Sequence, residues 1–286
     1  MTYSIVARDA GTGDLGVAVQ TRFFAVGATV PWARSGVGAV ATQAFGDRRY
    51  GALGLELLAA GRSPRETLDE LTAADAHAHV RQVGIVAGDG RAAAYTGSDC
   101  VPAAGHVTGD GFSAQANMMR SDEVWPAMAD AFVAARAPLA RRLLAALEAA
   151  EAAGGDFRGR QAAAILVVRG EPTSRPWDDK VLDLRVDDHA EPLRELRRLV
   201  ELGDGYTALL QLREGEPPPD AVTAIERLPE LDRRWGAIYD TLRRGDIDAA
   251  RALVAPLFDA EPRWRGYVES LAARGLLPRA DELLRE

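Results

Sequence analysis

Three short runs of small and β-branched residues constrain this chain more than any other feature. They are Leu15-Gly-Val-Ala-Val-Gln20, Val37-Gly-Ala-Val-Ala-Thr-Gln43 and Ala162-Ala-Ala-Ile-Leu-Val-Val168. Runs of this kind read as strands covered on both faces, so the rest of the chain must supply layers on either side. Gly16 and Ala18 add a second demand, because small residues inside a strand mark a place where something approaches closely. The first run also has a partner just upstream. Thr2–Ala7 alternates and is β-rich, and Asp9-Ala-Gly-Thr-Gly-Asp14 has the composition of a turn. The chain is therefore expected to open with a β-hairpin.

Helices enter in blocks. Gly51–Ala60 carries Leu53, Leu57 and Leu58 at helical spacing, and Ser63-Pro-Arg-Glu66 is a capping box with Pro at the first helical position. A hairpin follows, Val80–Ala87 and Arg91–Thr96 around Gly88-Asp-Gly90, then strand-like runs near Val107 and over Phe112–Ala116. A long helical stretch covers about Asp122–Ala152, with Pro138 placed to kink or divide it. After the strand at Ala162–Val168 come a last strand, Val181–Val186, and a helix over about Pro192–Leu202. Helices segregated from strands in this order predict an α+β layered fold, not a doubly wound one. From Gly203 the composition shifts, and Pro217-Pro-Pro219 reads as a linker. The expected division is a domain of residues 1–214 and a helical module of residues 220–286. In that module Gly245–Val254 reads as one helix of a hairpin and Phe258–Trp264 as its bend, similar to a single tetratricopeptide unit.

Composition narrows the function. The 286 residues carry a formal net charge of −8, which argues against a nucleic-acid surface. The single cysteine, Cys100, excludes an intramolecular disulfide and multi-cysteine zinc sites, and four histidines make a catalytic metal unattractive. No cofactor is expected. No signal peptide precedes the first strand, and no apolar run reaches the ~18 residues that a membrane span needs. The expected location is the cytoplasm.

Several stretches together resemble a bacterial family of unknown function, DUF1028. They include Thr2-Tyr-Ser-Ile-Val-Ala-Arg-Asp9, Gly16–Gly27, Gly36–Phe45, Thr108–Asn117, Gly154-Gly-Asp156, Gly159-Arg-Gln161 and Asp183–His189. The resemblance covers about residues 2–200. It implies the fold of N-terminal-nucleophile (Ntn) hydrolases, a four-layer αββα sandwich of two antiparallel sheets between helices. The chemistry it implies is amide hydrolysis by an N-terminal Thr, Ser or Cys, which here would be Thr2 acting on a small-molecule amide; the alternative is a catalytically silent fold that binds a ligand. The usual lysine partner of such a threonine has no evident match here. A homodimer is expected, and the helical tail is a candidate surface for a protein partner.

The candidate site residues each carry two readings. Met1 precedes a small residue, so its removal would leave Thr2 with a free α-amine able to activate its own hydroxyl; the other reading is the plain start of a strand. Gln20 and Arg22 alternate on one strand and share a face, either a cleft or a solvated edge, and Arg22 could bind a carboxylate or phosphate. Gln43 orients a substrate or caps a loop. Asn117 is an oxyanion-hole donor or the cap of the turn before the long helix. Arg160 and Gln161 stand before a buried strand as supporting residues, with Arg160 in a substrate-binding role. His77 and His79 alternate but lack acidic neighbours for a metal site. His106 reads as structural, Cys100 as a small buried hydrophobe, and Asp187-Asp188-His189 as a turn.

Overall fold

The structure, a computed structural model, describes residues 2–216 and 218–285. Removal of Met1, and Pro217 of the expected linker, lie outside the described residues. Two antiparallel sheets form the centre of the first part of the chain. The larger holds six strands in the order β10-β9-β2-β1-β8-β7. In chain order these are β1 (Thr2–Arg8), β2 (Leu15–Thr21), β7 (Gly105–Gly109), β8 (Phe112–Asn117), β9 (Ala162–Val168) and β10 (Lys180–Val186). The smaller sheet runs β3-β4-β5-β6, from β3 (Pro31–Arg34), β4 (Gly38–Ala44), β5 (Arg81–Ala87) and β6 (Ala92–Thr96). The expected opening hairpin is present, with Tyr3 opposite Gln20 and Arg8 opposite Leu15. Strand β3 was not visible in the sequence, because it is a four-residue edge strand that starts on Pro31.

Strand alternation sorts side chains into three cores. Tyr3, Ile5, Ala18, Ala114 and Ile165 on one face of the large sheet pack with α3 (Val124–Ala134), α4 (Leu139–Ala152) and the first half of α5 (Pro192–Glu214). The other face of the large sheet, through Val6, Val17 and Val19, meets Ala39, Ala41 and Val86 of the small sheet. The small sheet turns Val40, Val83 and Ile85 outward to α1 (Arg49–Ala59) and α2 (Pro64–Ala73). The small residues of β2 now have their reason. A Cβ on Gly16 would stand 2.7 Å from the Leu143 side chain of α4, so glycine here lets the helix close on the strand. Pro138 does divide the long helical stretch: it is the N-cap of α4.

The chain forms two compact units, residues 1–200 and 201–286, and the division falls inside α5. The sequence ends that helix near Leu202, yet it continues to Glu214. The composition shifts from Gly203, yet the helix runs through it, and Gly205 is a contact position: a Cβ there would meet Ala224 O at 2.8 Å in α6 (Ala221–Ile225). The second unit is helical. Gly245, at φ 83°, ends α7 (Glu230–Arg244), and the Asp246 side chain accepts a hydrogen bond from Ala249 N to start α8 (Ile247–Ala260). Helices α9 (Arg263–Ala273) and α10 (Ala280–Leu284) complete it, around a core that includes Trp235, Ile238, Leu242 and Val268.

Candidate active site

A cavity of about 410 Å³ opens at the ends of β1, β2, β4 and β8, with Thr2, Thr21, Gln43 and Asn117 in its lining. The register dictates that meeting. Thr2 lies opposite Asn117 in the β1–β8 pair, and Gln43 lies opposite Gln82 in the β4–β5 pair. Each belongs to the set of alternate residues that turns toward the other sheet.

Thr2 is 5% exposed, and its hydroxyl donates to Thr21 Oγ1 at 3.2 Å. Its carbonyl oxygen accepts from Gln43 Nε2 at 3.1 Å and from Asn117 Nδ2 at 3.4 Å. Those two amides meet on a third. Gln82 Oε1 accepts from Gln43 Nε2 at 2.7 Å and from Asn117 Nδ2 at 2.8 Å. Gln82 Nε2 in turn donates to Ala116 O at 2.8 Å and Thr96 Oγ1 at 3.0 Å. On the other side Ser4 donates to Gln43 Oε1 at 2.6 Å, Gln115 Nε2 to Ser4 Oγ at 2.7 Å, and Ser113 to Gln115 Oε1 at 2.8 Å. All of these groups except Thr96 are buried. Polar groups so buried are tolerable only when paired. The network reaches between the sheets because β5 has no side chain at Gly84, where a Cβ would stand 2.1 Å from Gln115 Oε1.

The rim is fixed by ion pairs. Arg81 donates from Nε to Asp75 at 2.8 Å, and its Nη1 donates to the carbonyl of Phe45 in the lining. The Arg81 guanidinium beside Asp75 holds that carboxyl at about 2. Asp47 is grasped by Arg49 at 2.6 Å, which keeps its carboxyl below the usual range. Arg158 lines the cavity and pairs at 2.7 Å with Asp156, whose carboxylate is fully buried. Ala44 and Met118, both in the lining, adopt left-handed backbone conformations at φ 68° and 61°. Such non-glycine strain gathers at sites the surrounding structure over-determines. Cys100 also lines the cavity, but burial pushes its thiol up, away from a reactive thiolate.

Of the residues singled out in the sequence, Thr2, Gln43 and Asn117 converge on the cavity and Gln20, Arg22 and Arg160 do not. Gln20 is a correction. It shares with Gly16 and Ala18 the face of β2 turned to the helices, is fully buried, and neither side-chain polar atom has a partner among the described residues. Alternation told which residues share a face, but a strand of small residues on both sides does not reveal which face is the cleft. Arg22 is exposed, outside the lining, with its guanidinium on Gln161. Arg160 is corrected likewise: it pairs with Glu151 at 3.0 Å, and Glu151 accepts from the Tyr3 hydroxyl at 2.7 Å, on the helical side. Asn117 is placed at the site but not as a ready oxyanion donor, since its amide nitrogen is engaged by Thr2 O and Gln82 Oε1. Gln82, Gln115, Ser4 and Arg158 were missed. Of these, Gln115 leaves a trace in the sequence, the every-second polar residue of Ser113-Ala-Gln115-Ala-Asn117.

A family of unknown function, DUF1028, has a model that matches residues 2–196. The chain belongs to that family. The crystal structure of protein SPO2555 from Silicibacter pomeroyi, also DUF1028, is similar over 70% of this chain and 88% of its own, at 35% identity and a TM-score of 0.63. No curated protein matches the chain. Every residue of the cavity lies within the DUF1028 span, whereas α6 to α10 lie beyond it. Among the described residues no cluster of His, Cys, Asp and Glu could hold a metal ion, and no helix is long and apolar enough to cross a membrane.

Proposed function

We propose that this DUF1028 chain is an N-terminal-nucleophile amidohydrolase that cleaves a C–N amide bond of a small molecule, with Thr2 as the nucleophile after removal of Met1. The single observation that carries this is the place of Thr2, first residue of an inner strand, in the lining of a cavity, with its carbonyl held by two buried amides. Two sheets with helices on their outer faces fit the four-layer αββα sandwich of such hydrolases.

In this reading the Thr2 α-amine takes the hydroxyl proton as Oγ1 attacks the amide carbon. The amine then gives that proton to the leaving nitrogen, so the C–N bond breaks and an ester on Thr2 remains. Water, with the same amine as base, hydrolyses the ester to a carboxylic acid and restores the hydroxyl. Gln43, Asn117 and Gln82 act by positioning: they fix the Thr2 backbone and so the direction of both groups. The sequence has one lysine, Lys180, which pairs with Asp183 at 2.8 Å on β10, so a lysine-assisted relay is not part of this scheme.

That lone lysine also favours a second reading, an Ntn-like fold that binds a ligand without turnover. The two part at one experiment. On an amide substrate found by screening, Thr2→Ala is expected to abolish turnover with the fold intact, and Thr2→Ser to keep part of it. Undiminished hydrolysis by Thr2→Ala would end the proposal.

A further inference from the structure

We propose that the cavity takes a small carboxylate-bearing amphiphile: an apolar body with a single anionic group at the mouth. An N-acyl amino acid is such a ligand with an amide to cleave; calling it the substrate rests on the amidohydrolase reading, whereas the statement about binding does not need turnover.

The volume comes first. A cavity of about 410 Å³ lies in the range that encloses a small organic ligand. Its walls include Val26, Val30, Val101 and Met118. Phe23 and Phe45 complete them, yet these two are 61% and 65% exposed. Two large rings left in water beside a cavity leave apolar area for a ligand body to cover.

Charge decides the other end. The charged residues of the lining are Asp47, Arg48 and Arg158. Asp47 is neutralised by Arg49, which donates to both of its oxygens. Arg158 is balanced by Asp156. Arg48 is left: among the described residues it makes no ion pair. The mouth thus carries a residual positive charge in a chain of formal net charge −8. A cationic ligand would find no carboxylate to spare there, and a neutral one would leave Arg48 unused. A carboxylate accepts the guanidinium fork in two parallel hydrogen bonds. Arg158, held by a buried carboxylate, is a second positive group in the same lining.

The test uses the full chain carrying Thr2→Ala, so that no ligand is consumed, and the native chain as a control for folding. Binding of N-hexanoyl-L-alanine and of its uncharged methyl ester is measured by calorimetry at low and high salt. The acid is expected to bind about tenfold tighter or more than the ester at low salt, with the gap narrowing as salt rises. Adding Arg48→Ala should remove most of the preference, and Arg48→Lys should keep part of it. Phe45→Ala should weaken acid and ester alike. Equal affinity for acid and ester, or a preference unchanged by Arg48→Ala, overturns the inference, as does failure of both to bind at millimolar concentration. Charge-selective binding without hydrolysis by the native chain would sink the amidohydrolase reading alone. Hydrolysis with no charge preference would sink this inference alone.

Discussion

On one face of β1, Tyr3, Ile5 and Ala7 sit among the apolar side chains of the helices; on the other, Thr2 and Ser4 enter a chain of buried amides and hydroxyls. The two faces are equally dry, with every one of these residues 5% exposed or less. They differ in what holds them. The apolar face is held by contacts that are many, weak and interchangeable. The polar face is held by few bonds, each needing a named donor and acceptor, so it specifies one geometry and tolerates little. The backbone at Thr2 is held by the second kind of face.

The sharpest way to break this comparison is Gln82→Leu. The change removes the acceptor that Gln43 and Asn117 share, leaving the two amides to Thr2 O, and takes away the donor of Ala116 O and Thr96 Oγ1. Loss of stability is expected at about 3 kcal/mol or more, read from the urea midpoint, with a matching fall in any activity. A loss under ~1 kcal/mol would mean the amides are not a connected unit.

Gln20→Leu tests the same residue type on the other face, and the sign should reverse. Its amide is buried without a partner among the described residues, so an apolar side chain of similar size removes a desolvation cost. The expected effect is neutral to about 1–2 kcal/mol stabilising, again by urea midpoint. A marked destabilisation would show that Gln20 has a polar role that this comparison denies it.

The smallest effect is one of pH. Burial, and then the neighbouring Glu151, push the Tyr3 phenol well above its ordinary value of 10.0. The unfolded chain releases this proton near 10 while the folded chain keeps it. The stabilisation is therefore full below that pH and is lost as pH rises above it. Tyr3→Phe lacks this term. Above pH ~10 its stability should fall less steeply than that of the native chain, and parallel slopes would place Tyr3 in a less buried setting.

Much of this was legible in the sequence, and the failures have physical causes. The inner strands, the opening hairpin and the capping box of α2 were all readable, because each is decided by residues close in sequence. Thr2 is singled out by the Met1 before it, and Gln43 and Asn117 by standing as polar ends of runs of small residues. Their convergence could not be read in full. Ser4, Gln43, Gln82 and Gln115 meet only through pairings 39 and 111 residues apart in the chain. Alternation shows that Ser113, Gln115 and Asn117 share a face, but not that this face is dry. Gln20 failed for the complementary reason: its strand is small on both faces, so nothing local said which side held the helices. In α5, the shift of composition from Gly203 suggests an end near Leu202, whereas Gly205 is a point of close approach inside a helix that continues to Glu214.

The central claim is that Thr2 is the reactive residue of the cavity, and a covalent probe tests it without a known substrate. A β-lactone acylates an activated hydroxyl by opening its ring, so the adduct needs no leaving group. After incubation, intact mass and peptide mapping should find one adduct, on a Thr2 that has lost Met1, and none on the Thr2→Ala protein. An adduct on Cys100, or equal labelling of the Thr2→Ala protein, would contradict the claim and move the chemistry to another side chain.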